Sequence, residues 1–237
     1  MVGWLCLLRA DEATVAAVVP VYNEAKILPG MIARLSELGF NELVVVDGGS
    51  SDESELILMD SGLKWIASEQ GRARQMNVGA SECVSDILIF IHADTIFHPD
   101  CLRSLKRVVG SPEVVGGRFD LRLSGGSLFY RLIEGFINLR SRISKISTGD
   151  QCLFVRRALF EKMGGFAELP LMEDIEFSKR LKRQGRVVCL KERVVTSSRR
   201  WEKKGVVKTI LLMWKLRFLY WIGISPERLA ELYRHAR

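Results

Sequence analysis

The chain has 237 residues, a formal net charge of +7, and a composition that is 48% hydrophobic and 27% charged. This composition is typical of a globular protein with a sizeable core. Its five cysteines are odd in number, widely spaced and without a Cys-X-X-Cys pair, which argues against a disulfide framework or a zinc site and favours a reducing cytoplasm. The apolar patch at 4–8 is too short for a signal peptide or a membrane span.

Charge is unevenly distributed along the chain. From Lys179 to Arg237 there are 17 basic and 4 acidic residues, so this end carries +13 and the preceding part −6. A basic end on an acidic body indicates an anionic partner, such as phosphate groups, anionic lipid or nucleic acid.

Strand and helix patterns alternate along the first ninety residues. Apolar runs predict strands at 14–21, 43–46, 63–67 and 87–91, and a helical pattern follows each of the first three. Such alternation predicts an α/β fold with a mostly parallel central sheet flanked by helices. We expect one principal domain over residues 1–205 and a C-terminal amphipathic helical appendage over 206–237.

The second half of the chain is predicted to add strands at 114–123, 152–155 and 187–190 and a helix at 175–184. Between them, an amphipathic helix is predicted over 128–146. Its apolar residues recur at helical spacing: Leu128, Leu132, Phe136, Leu139 and Ile143. Packing into the core is the favoured use of this stripe, and a membrane-facing helix is the alternative.

The stretch 206–222 is strongly apolar and aromatic, but Lys208, Lys215 and Arg217 interrupt it. Seventeen residues with three cations make a poor bilayer span. A basic aromatic helix of this kind fits an interfacial position, against anionic lipid or a second subunit. A terminal helix that covers the core is an equally acceptable interpretation.

The first signal of a site follows the strand predicted at 87–91. A parallel strand buried on both faces places its working residues just beyond its carboxyl end, where His92 and Asp94 stand. An imidazole and a carboxylate two residues apart can hold a divalent cation against a diphosphate. The alternative is a strand that simply ends in an Asp/Thr turn.

Further charged residues follow other predicted strands or begin helices. Asp47 precedes two glycines, and its carboxylate could accept hydrogen bonds from a base or a ribose, although the spacing is not that of a dinucleotide-binding fingerprint. Arg72 and Arg74 begin a helix, where they could contact phosphates or form a solvated charge cluster. Glu173 and Asp174 could cap a helix or supply a general base.

Taken together, these motifs resemble the family 2 glycosyltransferases of GT-A fold over roughly residues 14–205. The motifs are Pro-X-Tyr-Asn-Glu at 20–24, Val-Val-Asp-Gly-Gly-Ser-X-Asp at 45–52, His-Ala-Asp at 92–94, Gly-Gly-Phe at 164–166 and Glu-Asp at 173–174. The segments 71–80, 149–151 and 225–229 further resemble the subgroup of radical-SAM-associated or arsenosugar-biosynthesis glycosyltransferases.

The resemblance implies an inverting transfer of a sugar from a UDP- or GDP-sugar to a hydroxyl of a small or lipid-linked acceptor. It assigns donor binding to Pro20, Tyr22, Glu24, Asp47, Arg72, Asn77, Arg200 and Trp201, and acceptor binding to Asp150 and Gln151. Asp174, with Glu173 as the substitute, would be the general base. Asp94 and His92 would hold Mn²⁺ or Mg²⁺. His92 stands where most relatives have the first Asp of Asp-X-Asp, which leaves the metal one fewer anionic neighbour.

Two other functions compete with this interpretation. A nucleotidyltransferase uses a similar metal-diphosphate site but usually has a Gly-rich basic loop after its first strand, where this chain has residues 21–24, Val-Tyr-Asn-Glu. A nucleic-acid-binding module would use the basic C-terminus but would leave Asp47, Asp94 and Asp174 unexplained. We therefore expect a cytoplasmic enzyme, peripheral to the inner face of the membrane if the C-terminal helix contacts lipid, and no nucleic-acid partner.

Overall fold

The computed structural model describes residues 13–198 and 205–235. Within them, seven strands form one sheet. The strands are β1 (Val15–Val21), β2 (Glu42–Asp47), β3 (Lys64–Ala67), β4 (Ile87–Phe90), β5 (Val114–Leu123), β6 (Phe154–Arg156) and β7 (Arg186–Thr196). The strand predicted at 187–190 is the first part of the longer β7.

Helices cover both faces of this sheet. They are α1 (Leu28–Ser36), α2 (Ser54–Asp60), α3 (Arg72–Ser81), α4 (Pro99–Val109), α5 (Leu128–Ser144), α6 (Arg157–Lys162), α7 (Glu173–Leu181), α8 (Val206–Trp221) and α9 (Pro226–His235), with a short 3-10 helix at Gly149–Gln151. Pattern analysis did not predict α4, although Pro99 in its first turn is a recognised start signal.

The strand order is β3-β2-β1-β4-β6-β5-β7. Neighbouring strands are parallel except on the two sides of β6, which runs antiparallel to both β4 and β5. Because β6 is reversed, the chain enters it at the edge of the sheet where the parallel strands end. The 3-10 helix at Gly149–Gln151, just before β6, therefore lies beside the residues that follow β4.

The core forms on both sides of the sheet. Alternate residues of β1 point in opposite directions, so Val15 and Val19 join the cluster that contains α1, α2 and α4, whereas Ala16 and Val18 join the cluster that contains α3, α6 and α7. Burial on both faces explains why the strands are continuous apolar runs without polar alternation.

Helix α5 corrects the prediction that its apolar stripe packs into the core. Leu128 is 86% exposed and Ile143 76% exposed, and the three apolar residues between them in the stripe are also exposed. The helix instead turns polar residues inward. Glu134 Oε1 accepts a hydrogen bond from the Leu123 backbone N–H at 2.7 Å, and the side-chain amide of Asn138 pairs with the backbone of β5.

Helices α8 and α9 pack against the N-terminal turn of α7. Leu216 and Leu229 are buried in a cluster with Met172 and Ile175. Across the two described ranges, none of the helices combines the length and apolarity needed to cross a membrane. The division of the chain at residue 205 stays a prediction, but the packing places α8 and α9 beside the residues at the start of α7.

Candidate active site

The loops that follow β1 and β2 are joined by hydrogen bonds. The Asn23 backbone N–H donates to Ser50 Oγ at 2.8 Å, and Asn23 Oδ1 accepts from the Ser51 N–H at 2.7 Å. Asp47 is buried and holds its own turn, since its Oδ2 accepts from the backbone N–H groups of Gly49 at 3.0 Å and Ser50 at 2.9 Å. The two loops thus form one preorganised unit at the carboxyl edge of the sheet.

Four of the predicted donor-binding residues belong to this unit. Pro20, the penultimate residue of β1, lies opposite Val46 of β2, Tyr22 is 41% exposed, and the Glu24 backbone N–H donates to Ser54 Oγ at 3.0 Å. Asp47 is the fourth. The structure therefore brings Pro20, Tyr22, Glu24 and Asp47 together, while their contact with a donor stays a prediction.

Gln75 is a supporting residue that the sequence analysis missed. Its buried side chain donates from Nε2 to the backbone carbonyl oxygens of Val21 at 2.8 Å and Val46 at 2.9 Å, which ties α3 to the ends of β1 and β2. The sequence signal for this role is a glutamine that stands between the apolar residues Ala73 and Met76, on the face of α3 that packs on the sheet. A polar residue there must find backbone partners.

Helix α3 also contributes two predicted donor-binding residues. Arg72 Nη1 lies 3.4 Å from Glu173 Oε1, and the Arg72 side chain is 45% exposed, so its remaining donors are open to a ligand. The Asn77 side chain instead pairs with the backbone N–H and carbonyl of Phe166, at 2.9 and 2.8 Å. Asn77 therefore holds the loop of the Gly-Gly-Phe motif, and its donor contact remains untested.

Helix α7 begins with the carboxylate pair, Glu173 and Asp174. Met172 precedes it in a left-handed conformation with φ of 73°, an uncommon state for a non-glycine residue. Glu173 is only 4% exposed, and Asp174 Oδ2 accepts the Gly149 backbone N–H at 2.8 Å. The two residues are thus the first of the helix, two positions before its predicted start, and Asp174 Oδ1 also accepts the backbone N–H of Ile175 in the first turn at 2.7 Å.

Burial changes the acid-base properties of this pair. Burial raises the pKa of Asp174, and the Gly149 N–H and the charge of Arg72 only partly counteract it. The pKa of Glu173 is also raised, by burial and then by the negative charge of Asp174. A carboxylate with a raised pKa binds a proton more readily, which is the property a general base requires.

Gly149 lies close to both His92 and Asp174. A Cβ atom added to Gly149 would lie 3.9 Å from Asp174 Oδ2 but only 2.6 Å from His92 Nε2, so a larger residue at this position would displace His92. A small cleft here, of about 10 Å³, is lined by Arg72, Met76, Phe90, His92, Gly149, Leu153, Phe166, Glu173 and Asp174. Two residues predicted for catalysis, one for donor binding and one for metal binding therefore share one cleft.

The predicted metal ligands His92 and Asp94 sit in one turn, closed by a hydrogen bond of 2.9 Å from the Thr95 N–H to the His92 carbonyl. Over residues 13–198 and 205–235, no three His, Cys, Asp or Glu side chains are grouped so that they could hold a metal. One imidazole and one carboxylate suit a cation that takes its other ligands from diphosphate oxygens and water. The residues fit such a shared cation, and the assignment stays a prediction.

The segment 149–151 requires a correction. Gln151 is fully buried, and its Oε1 accepts hydrogen bonds from the backbone N–H and hydroxyl of Thr148, both at 3.2 Å, so it shapes the loop and cannot face an acceptor. Asp150 remains compatible with its predicted role, because its buried Oδ1 has no hydrogen-bond partner within the described structure.

Arg140 of α5 is a second residue that the sequence analysis missed. Its Nε and Nη2 atoms are buried and make no hydrogen bond to the described residues. Burial and the neighbouring Arg217 of α8 lower the pKa of Arg140 to about 10, while Asp150 and Asp174 act in the opposite direction. Helices α5 and α8 therefore bring cations to the carboxylates. The predicted donor-binding residues Arg200 and Trp201 lie outside the described residues.

The fold and site define an α/β domain in which a carboxylate pair, an arginine and a histidine meet at the carboxyl edge of the sheet. The family Glycosyl transferase family 2 matches residues 16–164, more than half of the chain. The chain belongs to this family. This membership confirms the predicted family and class of enzyme, and it favours a glycosyltransferase over the nucleotidyltransferase and nucleic-acid-binding alternatives.

Among curated proteins, the PGL/p-HBAD biosynthesis glycosyltransferase Rv2957 of Mycobacterium tuberculosis is 26% identical over 251 residues, covering 84% of this chain and 96% of that protein. The 4,4'-diaponeurosporenoate glycosyltransferase of Staphylococcus haemolyticus is 34% identical over 101 residues, covering 36% of this chain and 26% of its own. Both similarities are to proteins named as glycosyltransferases.

Solved structures confirm the predicted GT-A-like fold. S. aureus TarS 1–349 in complex with UDP matches with a TM-score of 0.62 at 19% identity, over 78% of this chain and 60% of that one. The chain spans only 36% of the longer TarS chain. Glucosyl-3-phosphoglycerate synthase from M. tuberculosis in complex with Mn²⁺, UDP and glucosyl-3-phosphoglycerate matches with a TM-score of 0.58 at 20% identity, over 79% and 73% of the two chains.

Proposed function

We propose that this protein transfers a sugar from a nucleotide-diphospho-sugar to an acceptor hydroxyl with inversion at the anomeric carbon. The observation that carries the proposal is the Glu173-Asp174 pair, one residue buried and the other half-buried, with raised pKa values and in the same cleft as Arg72 and His92. This cleft lies at the edge of the sheet where the loops after β1 and β2 form a preorganised unit. The site thus offers a base and a cation within reach of one bound donor.

In this mechanism Asp174 takes the proton of the acceptor hydroxyl. The Gly149 N–H holds Asp174 Oδ2 at 2.8 Å, which fixes the direction of that carboxylate. The acceptor oxygen attacks the anomeric carbon from the side opposite the diphosphate, so the configuration inverts. Glu173, which is paired with Arg72, keeps that guanidinium beside the cleft, where it can contact the phosphates of the donor.

A divalent cation, Mn²⁺ or Mg²⁺, would be held by Asp94 with His92. When bound, such a cation would neutralise the charge that develops on the leaving diphosphate. The similar M. tuberculosis synthase was solved with Mn²⁺ and UDP, which supports this assignment and favours a UDP-sugar over a GDP-sugar.

The acceptor is of the small or lipid-linked kind, with Asp150 beside it. The names of relatives include a glucosyl-3-phosphoglycerate synthase and a 4,4'-diaponeurosporenoate glycosyltransferase, so both kinds of acceptor occur among similar proteins. The narrower resemblance to radical-SAM-associated or arsenosugar-biosynthesis transferases rests on segments 71–80, 149–151 and 225–229 and stays part of the proposal.

Thermal shift with UDP, GDP, CDP and dTDP, each with and without Mn²⁺, tests the donor assignment. One nucleotide at about 100 times its Kd should stabilise the fold by about 2.7 kcal/mol. Asp94→Ala should lose the Mn²⁺-dependent part of this stabilisation, whereas Asp174→Asn, the matched control, should keep it. Absence of stabilisation by any of the four nucleotides, or an unchanged Mn²⁺ response in Asp94→Ala, contradicts the proposed donor site.

A further inference from the structure

Two neighbouring helices expose large apolar side chains to solvent. We call these side chains together the outer face. On α5 they are Leu128, Leu132, Phe136, Leu139 and Ile143, and on α8 they are Leu211, Trp214, Phe218 and Trp221. Each of the nine is at least 55% exposed. Ile210 of α8 packs against the cluster that contains Tyr130 and Ile133 of α5, so the first turns of α8 contact α5.

The outer face is not a by-product of weak packing, because both helices are firmly attached by their other sides. On α5 the attached side combines Tyr130 and Ile133, which pack against β5, with polar residues. Arg142 of α5 donates to Asp120 Oδ2 at 2.5 Å, and Arg118, fully buried under the helix, pairs with the same carboxylate and donates to the Asn138 carbonyl at 3.0 Å. On α8 the attached side includes Leu216, which is 1% exposed.

Both helices therefore carry apolar side chains on an inner and an outer side, whereas a usual surface helix has its apolar stripe toward the core and polar residues toward water. Soluble monomers rarely expose apolar patches larger than a few hundred Å², and larger ones mark an interaction surface. The outer face therefore needs an apolar partner.

Charge distinguishes between the possible partners. Helix α8 contains no acidic residue, and Lys208 and Lys215 stand on its exposed side. The one acidic residue of α5, Glu134, is buried and paired with Arg131. Neither helix therefore presents an exposed carboxylate. In the sequence, Arg199, Arg200, Lys203 and Lys204 immediately precede α8 and add to its positive charge.

A second copy of the chain is a poor match for such a surface. A two-fold interface brings the same patch of each copy together, so Lys208 and Lys215 would meet their own counterparts with no carboxylate on either helix to pair with them. An anionic bilayer supplies what the outer face lacks, since it offers negative headgroups to the lysines and an apolar layer to the side chains. Tryptophan is also enriched at membrane-water interfaces.

We propose that the outer face of α5 and α8 docks on an anionic lipid bilayer. The helices would lie in the interface plane without crossing it. The same two helices carry Arg140 and Arg217, which act on Asp174 from their inner sides. Docking would thus place the cleft next to the headgroup region, where a lipid-borne acceptor hydroxyl can enter. The docking proposal does not depend on whether the proposed transfer reaction is correct.

Vesicle co-sedimentation of the full chain without donor tests this proposal. The vesicles contain equal parts of phosphatidylglycerol and phosphatidylcholine, with pure phosphatidylcholine as the neutral reference. The wild type should bind the anionic vesicles, and the partition coefficient should fall as salt is raised, because exposed charges are screened over about 8 to 10 Å at physiological ionic strength. Replacing both Lys208 and Lys215 by Glu, which reverses their charge, should also weaken binding to the anionic vesicles.

Two paired substitutions test the two helices separately, and a third is the matched control. Trp214→Gln with Phe218→Gln on α8, and Leu132→Gln with Phe136→Gln on α5, should each lower the partition coefficient about tenfold or more. Leu56→Gln with Met59→Gln alters two equally exposed apolar residues on α2, outside the outer face, and should leave it unchanged. All three replace exposed side chains, so thermal melting should confirm that they fold.

Three results would overturn the docking proposal. The first is a wild type that fails to bind anionic vesicles at low salt, and the second is binding that neither outer-face variant reduces. The third is a wild type that sediments as a dimer without binding vesicles and becomes monomeric when the outer face is changed, which would assign this face to a second copy. Nucleotide-dependent thermal shift, measured on the same samples, reports separately whether the proposed donor site is intact.

Discussion

The candidate catalytic cleft and the outer face break the ordinary rule of burial in opposite directions. In the cleft, Glu173 is buried and Asp174 half-buried although both are acidic, and burial raises their pKa values. On the outer face, side chains such as Leu128 and Trp221 are exposed although they are apolar. The rest of the sheet, with continuous apolar strands and charged helix surfaces, follows the rule.

Departures of this kind cost stability, and natural proteins keep them mainly where function requires them. The comparison therefore separates two kinds of residue. Changes in the cleft should alter turnover and leave vesicle binding intact, whereas changes on the outer face should do the reverse. The following predictions test this separation, from the largest expected effect to the smallest.

Replacing Asp174 by Asn should reduce kcat by about 10² to 10⁴, because the acceptor loses its base. Donor binding should persist, since the Asn carbonyl oxygen can still accept one of the two backbone N–H groups, of Gly149 and Ile175, that Asp174 accepts. Steady-state kinetics with the donor found by thermal shift measures the first quantity and titration with UDP the second. Near-normal turnover would exclude Asp174 as the base, and Glu173→Gln is then the variant to examine. Vesicle binding should be unchanged in either variant.

Replacing Asp120 by Ala should destabilise the fold by about 3 to 5 kcal/mol, because fully buried Arg118 would lose its paired charge. This ion pair holds the polar inner side of α5. Denaturant unfolding measures the loss, and Leu132→Gln on the outer side of the same helix is the control. A smaller loss for Asp120→Ala than for Leu132→Gln would mean that the inner and outer sides of α5 have been misassigned.

Replacing Gly149 by Ala should cost about 1 to 3 kcal/mol of stability, since the new Cβ would overlap His92 Nε2 and the neighbours must shift. Turnover should fall together with stability, because the Gly149 N–H positions Asp174. The control is Gly126→Ala, where an added Cβ meets nothing within 4 Å. Equal stability and turnover in the two variants would show that Gly149 does not constrain the cleft.

The pH dependence of stability offers the smallest effect. The folded chain holds protons on Glu173 and Asp174 at pH values where the unfolded chain has lost them. The stability that these two residues contribute is therefore present at low pH. It declines as pH rises through their raised pKa values. The limiting slope is about 1.4 kcal/mol per pH unit for each proton. As pH rises through the raised pKa values, the wild type should lose more stability than Asp174→Asn. Parallel curves for the two proteins would refute the raised pKa of Asp174.

Local sequence patterns were sufficient for most of the sheet and for the positions of the charged residues. The continuous apolar runs identified β1, β2 and β4 because both of their faces are buried, and the polar residues just after each run followed from the geometry of parallel strands. The family motifs added the roles expected for Asp47, Asp94 and Asp174.

Only the tertiary structure decided which of these residues meet. The reversed direction of β6 brings Gly149 close to His92 and Asp174, although these residues are far apart in sequence and strand direction cannot be read from so short an apolar run. Gln151 was misjudged for the same reason, because its burial depends on contacts with Thr148 and α5.

The apolar stripe of α5 shows the limit of periodicity most clearly. The spacing of Leu128 to Ile143 correctly predicted a helix with one apolar side, but the same spacing fits a helix that faces the core and one that faces outward. The orientation was decided by Asp120 and by the backbone of β5, which bond to the polar side of the helix. These are long-range contacts between elements, and the physical reason for the outward apolar face exists only once the chain has folded.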